Sequence, residues 1–277
     1  MRTRLFAISL CLLAGLAAAT PAEAQYRARR PAGNRATGET YRVELAGTIW
    51  NPKPEIVIAS EGLGQLGDNI DFVTTLGIEQ KTFKQIKLVL RPATKHKFRF
   101  EYTPIKYSAD QIVPVSFVFN GQRFGVGIPV TTELSWKAYR FGYEWDFLYK
   151  DRGFAGLILE TKYTDVAATL TAATVGVAQF TEARAPIPAI GFIGRGYVAA
   201  NISITGEFTA FRLPEKALNS DDYSAKYYDF DVHGTVNLTN NLGAQIGYRS
   251  FDVFYKVKRD TGTLNLKGYY FGGVARF

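Results

Sequence analysis

Tyr227, Asp229, Asp231, His233, Thr235 and Asn237 alternate along one stretch of the chain. Residues two apart on a β-strand point the same way, so this stretch would set an Asp-x-Asp-x-His row on one face. Such a row could do two kinds of chemistry. Asp231 could orient His233 for general-base work. Alternatively, Asp229, Asp231 and His233 could offer oxygen and nitrogen ligands to a metal ion. Same-face neighbours lie about 7 Å apart, twice the rise per residue; adjacent pairs could converge on one ion and the outer two could not. The other histidine, His96, starts a strand beside a turn and reads as a solvated rim residue. The single cysteine, Cys11, lies in the N-terminal apolar run, so the remainder has neither a disulfide nor thiolate chemistry.

The larger pattern is an interior row of both signs. Arg99, Glu101, Arg140, Glu144, Asp146, Glu160, Lys162, Arg184, Glu207, Asp229, Asp231, His233 and Arg249 alternate with apolar residues along their segments. Facing one enclosed space, they could plug it as paired charges, or line a narrow aqueous pore that selects solutes. Arg140 and Glu160, on neighbouring strands, are expected to share one salt-bridge network.

The elements that would position these residues are strands. Apolar outward rows mark segments over about 41–50, 82–91, 96–107, 133–149, 154–169, 183–198, 202–212, 222–238, 242–258 and 263–277. Short turns at 92–95, 150–153, 199–201 and 239–241 alternate with longer connections. Asn51-Pro52-Lys53-Pro54 reads as the start of a long loop. Asn120-Gly121 marks a tight hairpin, standing apart or adding two strands. Pro186 and Pro188 leave their strand bulged or partly unpaired. The alternation changes parity near Ser250 and near Gly268, so bulges are expected there. The chain is rich in Tyr and Phe, 16 and 20 respectively, and none of its apolar runs is long enough for a membrane helix.

At the front, Arg2 and Arg4 precede the apolar run Leu5 to Ala19, and Ala22-Glu23-Ala24 offers a small-x-small cleavage site before Gln25. This is the pattern of a secretory signal peptide over 1–24. Residues 25–40, with Arg27, Arg29, Arg30 and Arg35, read as a flexible basic periplasmic arm, and 41–277 as one domain. The balance is basic, 33 Lys and Arg against 25 Asp and Glu.

The last stretch carries Tyr269, Phe271, Gly273, Ala275 and Phe277 on one face. With Tyr270, Gly272, Ala275 and Phe277 it resembles the C-terminal assembly signal of small Gram-negative outer-membrane β-barrel proteins, the porin-like, OmpA- and OmpW-like barrels. The resemblance spans the mature chain but is architectural. It implies an all-β, single, antiparallel up-and-down transmembrane barrel of about ten strands, with eight or twelve as alternatives. It also implies location in the outer membrane, insertion by the outer-membrane assembly machinery through the signal at Tyr269, Phe271, Gly272, Ala275 and Phe277, and membrane lipids as partners. The rim cations Lys106, Lys137, Arg212, Lys216, Lys256, Lys258 and Arg259 suit lipopolysaccharide phosphates.

Within such barrels, Asp231-x-His233 resembles the Asp–His pair of omptin proteases. Those enzymes need a second acidic pair across the mouth, for which only Asp68 and Asp71 offer themselves, in a loop. Barrel enzymes that act on lipid A use Ser and His near the outer rim, and no Ser shares a lipid-facing row with His233. The reading is therefore non-enzymatic, a structural barrel or narrow channel for small polar solutes, with no catalytic residue, metal, cofactor or nucleic-acid partner. A rim enzyme acting on lipid A or peptides is the alternative.

Overall fold

The computed structural model describes residues 36–61, 67–172, 176–181, 185–213 and 223–277, and in 176–181 and 185 the backbone only. Its strands are β1 (Val43–Ala59), β2 (Ile70–Asp71), β3 (Phe83–Ala93), β4 (His96–Ile112), β5 (Phe117–Phe119), β6 (Gln122–Phe124), β7 (Pro129–Lys150), β8 (Gly153–Ala172), β9 (Gly176–Thr181), β10 (Ala185–Ala199), β11 (Ile202–Leu213), β12 (Tyr223–Asn237), β13 (Leu242–Val257) and β14 (Asp260–Arg276). Ten of them close a ring in the order β1, β3, β4, β7, β8, β10, β11, β12, β13, β14, every neighbour antiparallel and β14 pairing back onto β1. At the short-turn half the ladders run all the way round, so closure satisfies the backbone within that part of the wall, the condition for crossing a bilayer with strands.

The outward rows divide by height. Near the short-turn end they are apolar: Leu45, Ile49, Phe98, Phe141, Leu159, Phe192, Ile204, Phe230, Ile246 and Phe271 are all exposed. Higher up come outward tyrosines in cross-strand contact, Tyr102 on Tyr139 at 4.7 Å and Tyr248 on Tyr269 at 5.1 Å between ring centroids. Above these the outward rows become polar, with Lys53, Lys84, Lys106, Lys137, Arg212, Lys226 and Lys267 exposed. An apolar band capped by aromatics is the lipid-facing surface of a membrane barrel. A bilayer needs only about 9–11 residues per strand, while β7 has 22 and β8 has 20. The long-loop half therefore stands clear of the hydrocarbon.

Several expected boundaries shift. β1 runs on through Pro52 and Pro54, which had read as loop. Beyond Trp50 it is no longer paired with β3; the β14 ladder continues to Ala59, and on the other side the short β2 pairs only at Val57 and Ile58. Ile56, on the same row as the two prolines, turns its carbonyl toward the vacated side, where it accepts from Phe72 N. The N–H groups that the prolines lack would have pointed to that side, so no β14 bond is missing. The stretch 170–182, expected to be loop, extends β8 to Ala172 and contributes β9, paired with β8. The Asn120-Gly121 hairpin is a separate two-stranded sheet with φ of 47° and 75° at its turn, so the count stays at ten. The connection from β13 to β14, expected to be longer, is a tight turn at 258–259 with Lys258 at φ 57°.

The bulges expected near Ser250 and Gly268 are not there. The β12–β13 and β13–β14 ladders keep one register from end to end. The parity is constant, but the chemistry of the inward row changes. Gln245 and Arg249 face inward low in β13, and Phe251, Val253 and Tyr255 continue the same row above them. The interior is polar at bilayer depth and apolar above it.

Residues 36–40, assigned by sequence to a flexible arm, are held across the short-turn end. Thr37 N donates to Ala200 O at 2.8 Å, Asn237 Nδ2 donates to Thr37 O at 2.8 Å, and Ala36 and Glu39 are buried. The arm's remaining residues, 25–35, and the signal segment 1–24 lie outside the described residues.

Candidate functional site

The strands position a charged layer at mid-barrel. Inward rows of seven strands contribute Lys87, Lys97, Arg99, Glu101, Arg140, Glu144, Asp146, Glu160, Lys162, Glu207, Asp229 and Arg249. These are six cations and six anions, joined into one net. Arg140 is its hub, 2.6 Å from Glu207, 2.9 Å from Glu160, 3.1 Å from Glu101 and 3.4 Å from Asp229. Arg249 reaches Asp229 at 2.8 Å and also pairs with Glu101. Lys97 bridges Glu144 at 2.6 Å and Asp146 at 2.9 Å, and Arg99 pairs with Glu207 and Glu144. The Arg140–Asp229 contact joins β7 to β12, with three strands of the ring between them, so the net crosses the lumen. Buried charge is tolerated when each ion is paired and hydrogen-bonded; all twelve are in ion pairs, while both Asp146 carboxylate oxygens lack a hydrogen bond and rest on the ion pair with Lys97 alone.

A second cluster closes the short-turn end. Glu39, from the segment laid across the opening, accepts from Tyr197 Oη at 2.9 Å and lies 3.5 Å from Arg195 and 3.7 Å from Arg91. Arg276 Nε donates to Glu44 at 2.6 Å. The Arg91 and Arg276 guanidiniums sit over the Tyr41 ring at 5.2 and 5.7 Å, and burial holds that phenol well above its ordinary pKa. Between the two clusters the free space is about 50 Å³, lined by Glu44, Thr48, Lys87, Glu101, His233 and Tyr270 among others.

Above the charged layer the interior is apolar. Lys162 Nζ lies 3.9 Å from the Tyr227 ring centroid, Tyr227 packs edge-on against Phe251 at 4.9 Å, and Phe251 meets Trp136 at 4.9 Å. That column leads into a chamber of about 280 Å³ whose wall includes Leu134, Trp136, Val253 and Leu264. Beside it, Phe72, Leu76, Phe117, Phe119 and Phe124, from the loop after β1 and the β5–β6 hairpin, fold into the barrel mouth and are buried. In the sequence the one sign of this chamber is the run of inward apolar residues in β13 that mimics a change of parity.

The sequence-derived candidates separate. Arg99, Glu101, Arg140, Glu144, Asp146, Glu160, Lys162, Glu207, Asp229 and Arg249 meet in the net. Arg184 lies outside the described residues. Asp231 and His233 form a pair of their own, with Nδ1 to Oδ1 at 2.7 Å, and Tyr270 Oη donates to the same oxygen at 2.9 Å. Asp229 is turned away onto Arg249 and Lys162. The Asp229-Asp231-His233 metal set therefore does not converge, and no other ligand group of three is present among the described residues. Asp68 accepts from Val118 N, and Asp71 from Val73 N and Thr74 N, all in the external loops. Neither reaches His233, whose strand neighbours are Thr205 and Gly247 deep in the wall. Lys87, Lys97, Arg195, Arg91, Glu39 and Arg276 were missing from the candidate set, although Lys97 shares the inward row of Arg99. Of the signal residues, Tyr269, Phe271 and Phe277 face outward and exposed, while Gly272 and Ala275 are half-buried.

No protein-family model matches this chain, and no curated protein sequence matches it. Its fold does match solved structures. The outer-membrane protease OmpT of Escherichia coli superposes with a TM-score of 0.56 at 9% identity, over 85% of this chain and 96% of that one. Looser likenesses are Ail, the attachment invasion locus protein of Yersinia pestis, with a TM-score of 0.36 at 6% identity over 84% and 99%, and the toluene transporter TodX of Pseudomonas putida, with 0.34 at 8% over 88% and 94%. The chain has the fold of an outer-membrane β-barrel, antiparallel, closed and ten-stranded.

Proposed function

We propose that this chain works in the Gram-negative outer membrane, after loss of a leader near Ala24-Gln25, as a non-enzymatic barrel closed to polar solutes. The observation that supports it is the charged net. A conducting pore needs a continuous wet path, whereas here Arg140 holds carboxylates from β4, β8, β11 and β12 at once. The Glu39 cluster blocks the path below and the Trp50, Tyr227 and Phe251 layer blocks it above. Small barrels fill their interiors with side chains in this way. A rim protease or lipid-cleaving site is disfavoured because Asp68 and Asp71 are taken up by backbone amides, remote from the Asp231–His233 pair.

The outer surface fits lipid partners. Lys53, Lys84, Lys106, Lys137, Arg212, Lys226 and Lys267 form an exposed collar just above the tyrosines, at the depth where phosphates of lipopolysaccharide would lie. The C-terminal strand, with Phe277 outward, would engage the assembly machinery. Liposome swelling in small sugars tests the closed state. Vesicles carrying the folded protein should swell no faster than empty ones; swelling that scales with protein content would refute closure.

A further inference from the structure

The apolar chamber has a side opening. The β10–β11 ladder begins only at Ile190↔Ala210. Above that, Ala185–Ala189 pair with β8 alone and Phe211–Leu213 with β12 alone. Pro186 and Pro188 have no N–H to offer either neighbour. Pro186, on the outward row and exposed, is nevertheless part of the chamber wall together with Ile187, Phe211 and Leu213. Among the described residues no ladder closes the seam, and the chamber reaches the outer surface there at Pro186. Unpaired backbone is not tolerated against lipid chains, and the seam starts where the outward rows leave the apolar band, between Ile190 and Arg212.

Two cations stand on the β11 side of the opening. Arg212 and Lys226 face each other directly across the β11–β12 ladder, both outward and exposed. Like charges so placed repel, and neither has a carboxylate partner among the described residues. Their chain neighbours Leu213 and Ala225 line the chamber. An anion between them would relieve the repulsion while its apolar tail lay within. An apolar cavity of about 150 Å³ already stays dry and takes up benzene. At about 280 Å³ this one has room for a longer apolar group.

We propose that the chamber binds the hydrocarbon chain of a single-chain anionic amphiphile, a fatty acid in chemical class. The ligand passes through the β10–β11 seam, and its head group stays at Arg212 and Lys226. The proposal goes beyond the closed-barrel reading and does not depend on it, because the chamber lies above the charged net.

Trp136, in the chamber wall, is the reporter, and dibrominated stearic acid is the quencher. The protein is used folded in lipid nanodiscs, in a Trp145→Phe background that removes the lipid-facing indole. Each variant is first shown to be folded by heat-modifiable migration. Saturable quenching is expected, displaced by unbrominated stearic acid and lost in Trp136→Phe and in the chamber-filling Ala225→Phe. Arg212→Gln with Lys226→Gln should raise the half-saturating concentration several-fold. Quenching that never saturates, or that Ala225→Phe leaves unchanged, overturns the site. An unchanged half-saturation in the paired Gln variant overturns the head-group assignment. For the route, Ala189→Cys with Phe211→Cys places a disulfide across the seam in a mature chain otherwise free of cysteine. Quenching should be slowed or abolished when the bond is oxidised and return on reduction; equal rates in both states overturn lateral passage.

Discussion

Arg140 and Glu160 lie on adjacent strands, with the guanidinium Nη2 2.9 Å and Nε 3.2 Å from the same carboxylate oxygen. The pair is diagonal in register, since Arg140 is directly opposite Lys162 and Glu160 opposite Gly142. Glycine at 142 leaves room there, because a Cβ would stand 3.3 Å from that of Glu160. Arg140→Ala leaves Glu101, Glu160, Glu207 and Asp229 short of one cation. Loss of one partner of a buried pair costs about 3–5 kcal/mol. The double change Arg140→Ala with Glu160→Ala keeps the count balanced. Urea unfolding from bilayers should therefore show the single variant as the less stable. A double variant less stable than Arg140→Ala would mean that the pair is not held by charge balance.

Charge on the outer wall should matter by depth. Val232, on an outward row of β12 within the apolar band, should lose about 2–4 kcal/mol on change to Arg if it lies near the midplane, and Asn51→Arg, outward above the band, about 0–1 kcal/mol. Equal costs for Val232→Arg and Asn51→Arg in the same unfolding assay would contradict the placement of the band.

At Phe277 substitution can separate the backbone from the side chain. Phe277 N donates to Val43 O at 2.8 Å and its carbonyl accepts from Arg42 N and Val43 N, so its backbone helps close the ring. Its side chain is exposed. Phe277→Ala keeps the hydrogen bonds and removes only the aromatic group. It should still lower the yield of heat-modifiable protein in outer-membrane fractions, and deletion of Phe277 should lower it further. If Phe277→Ala is recovered at the wild-type level, the aromatic group is not an assembly signal.

The segment across the short-turn end should be structural. Glu39→Ala removes the acceptor shared by Tyr197, Arg195 and Arg91 and leaves two buried guanidiniums under-compensated. Protease digestion should then cut near residues 36–40 in folded protein at least several-fold faster than in wild type. Unchanged cleavage would mean that Glu39 does not tether the segment.

The wall was largely legible in the sequence. Alternation placed 202–212 and 269–277 on the right parity, because at bilayer depth the lipid side must be apolar and the interior here is charged. The upper interior was not legible. Leu264 and Leu266 face inward on the same row as Tyr270 and Arg276, and an apolar inward row beside a polar outward one reads as a slip of register. The rule that assigns apolar residues to lipid fails once the strands rise beyond it. Pro52 and Pro54 read as loop because sequence does not show that β3 has left that side of β1. The hub role of Arg140 was only partly visible. Its neighbours on β8 followed from adjacency, but its contacts with Glu207 and Asp229 depend on ring closure.

The closed interior is the central claim, and single-channel recording in planar bilayers tests it most directly. Wild-type protein, folded and inserted, should give no discrete steps across a wide voltage range. Arg140→Ala with Glu160→Ala should also stay silent, because the Glu39 cluster and the aromatic layer around Trp50, Tyr227 and Phe251 still close the path. Reproducible ohmic steps from the wild type would contradict the account.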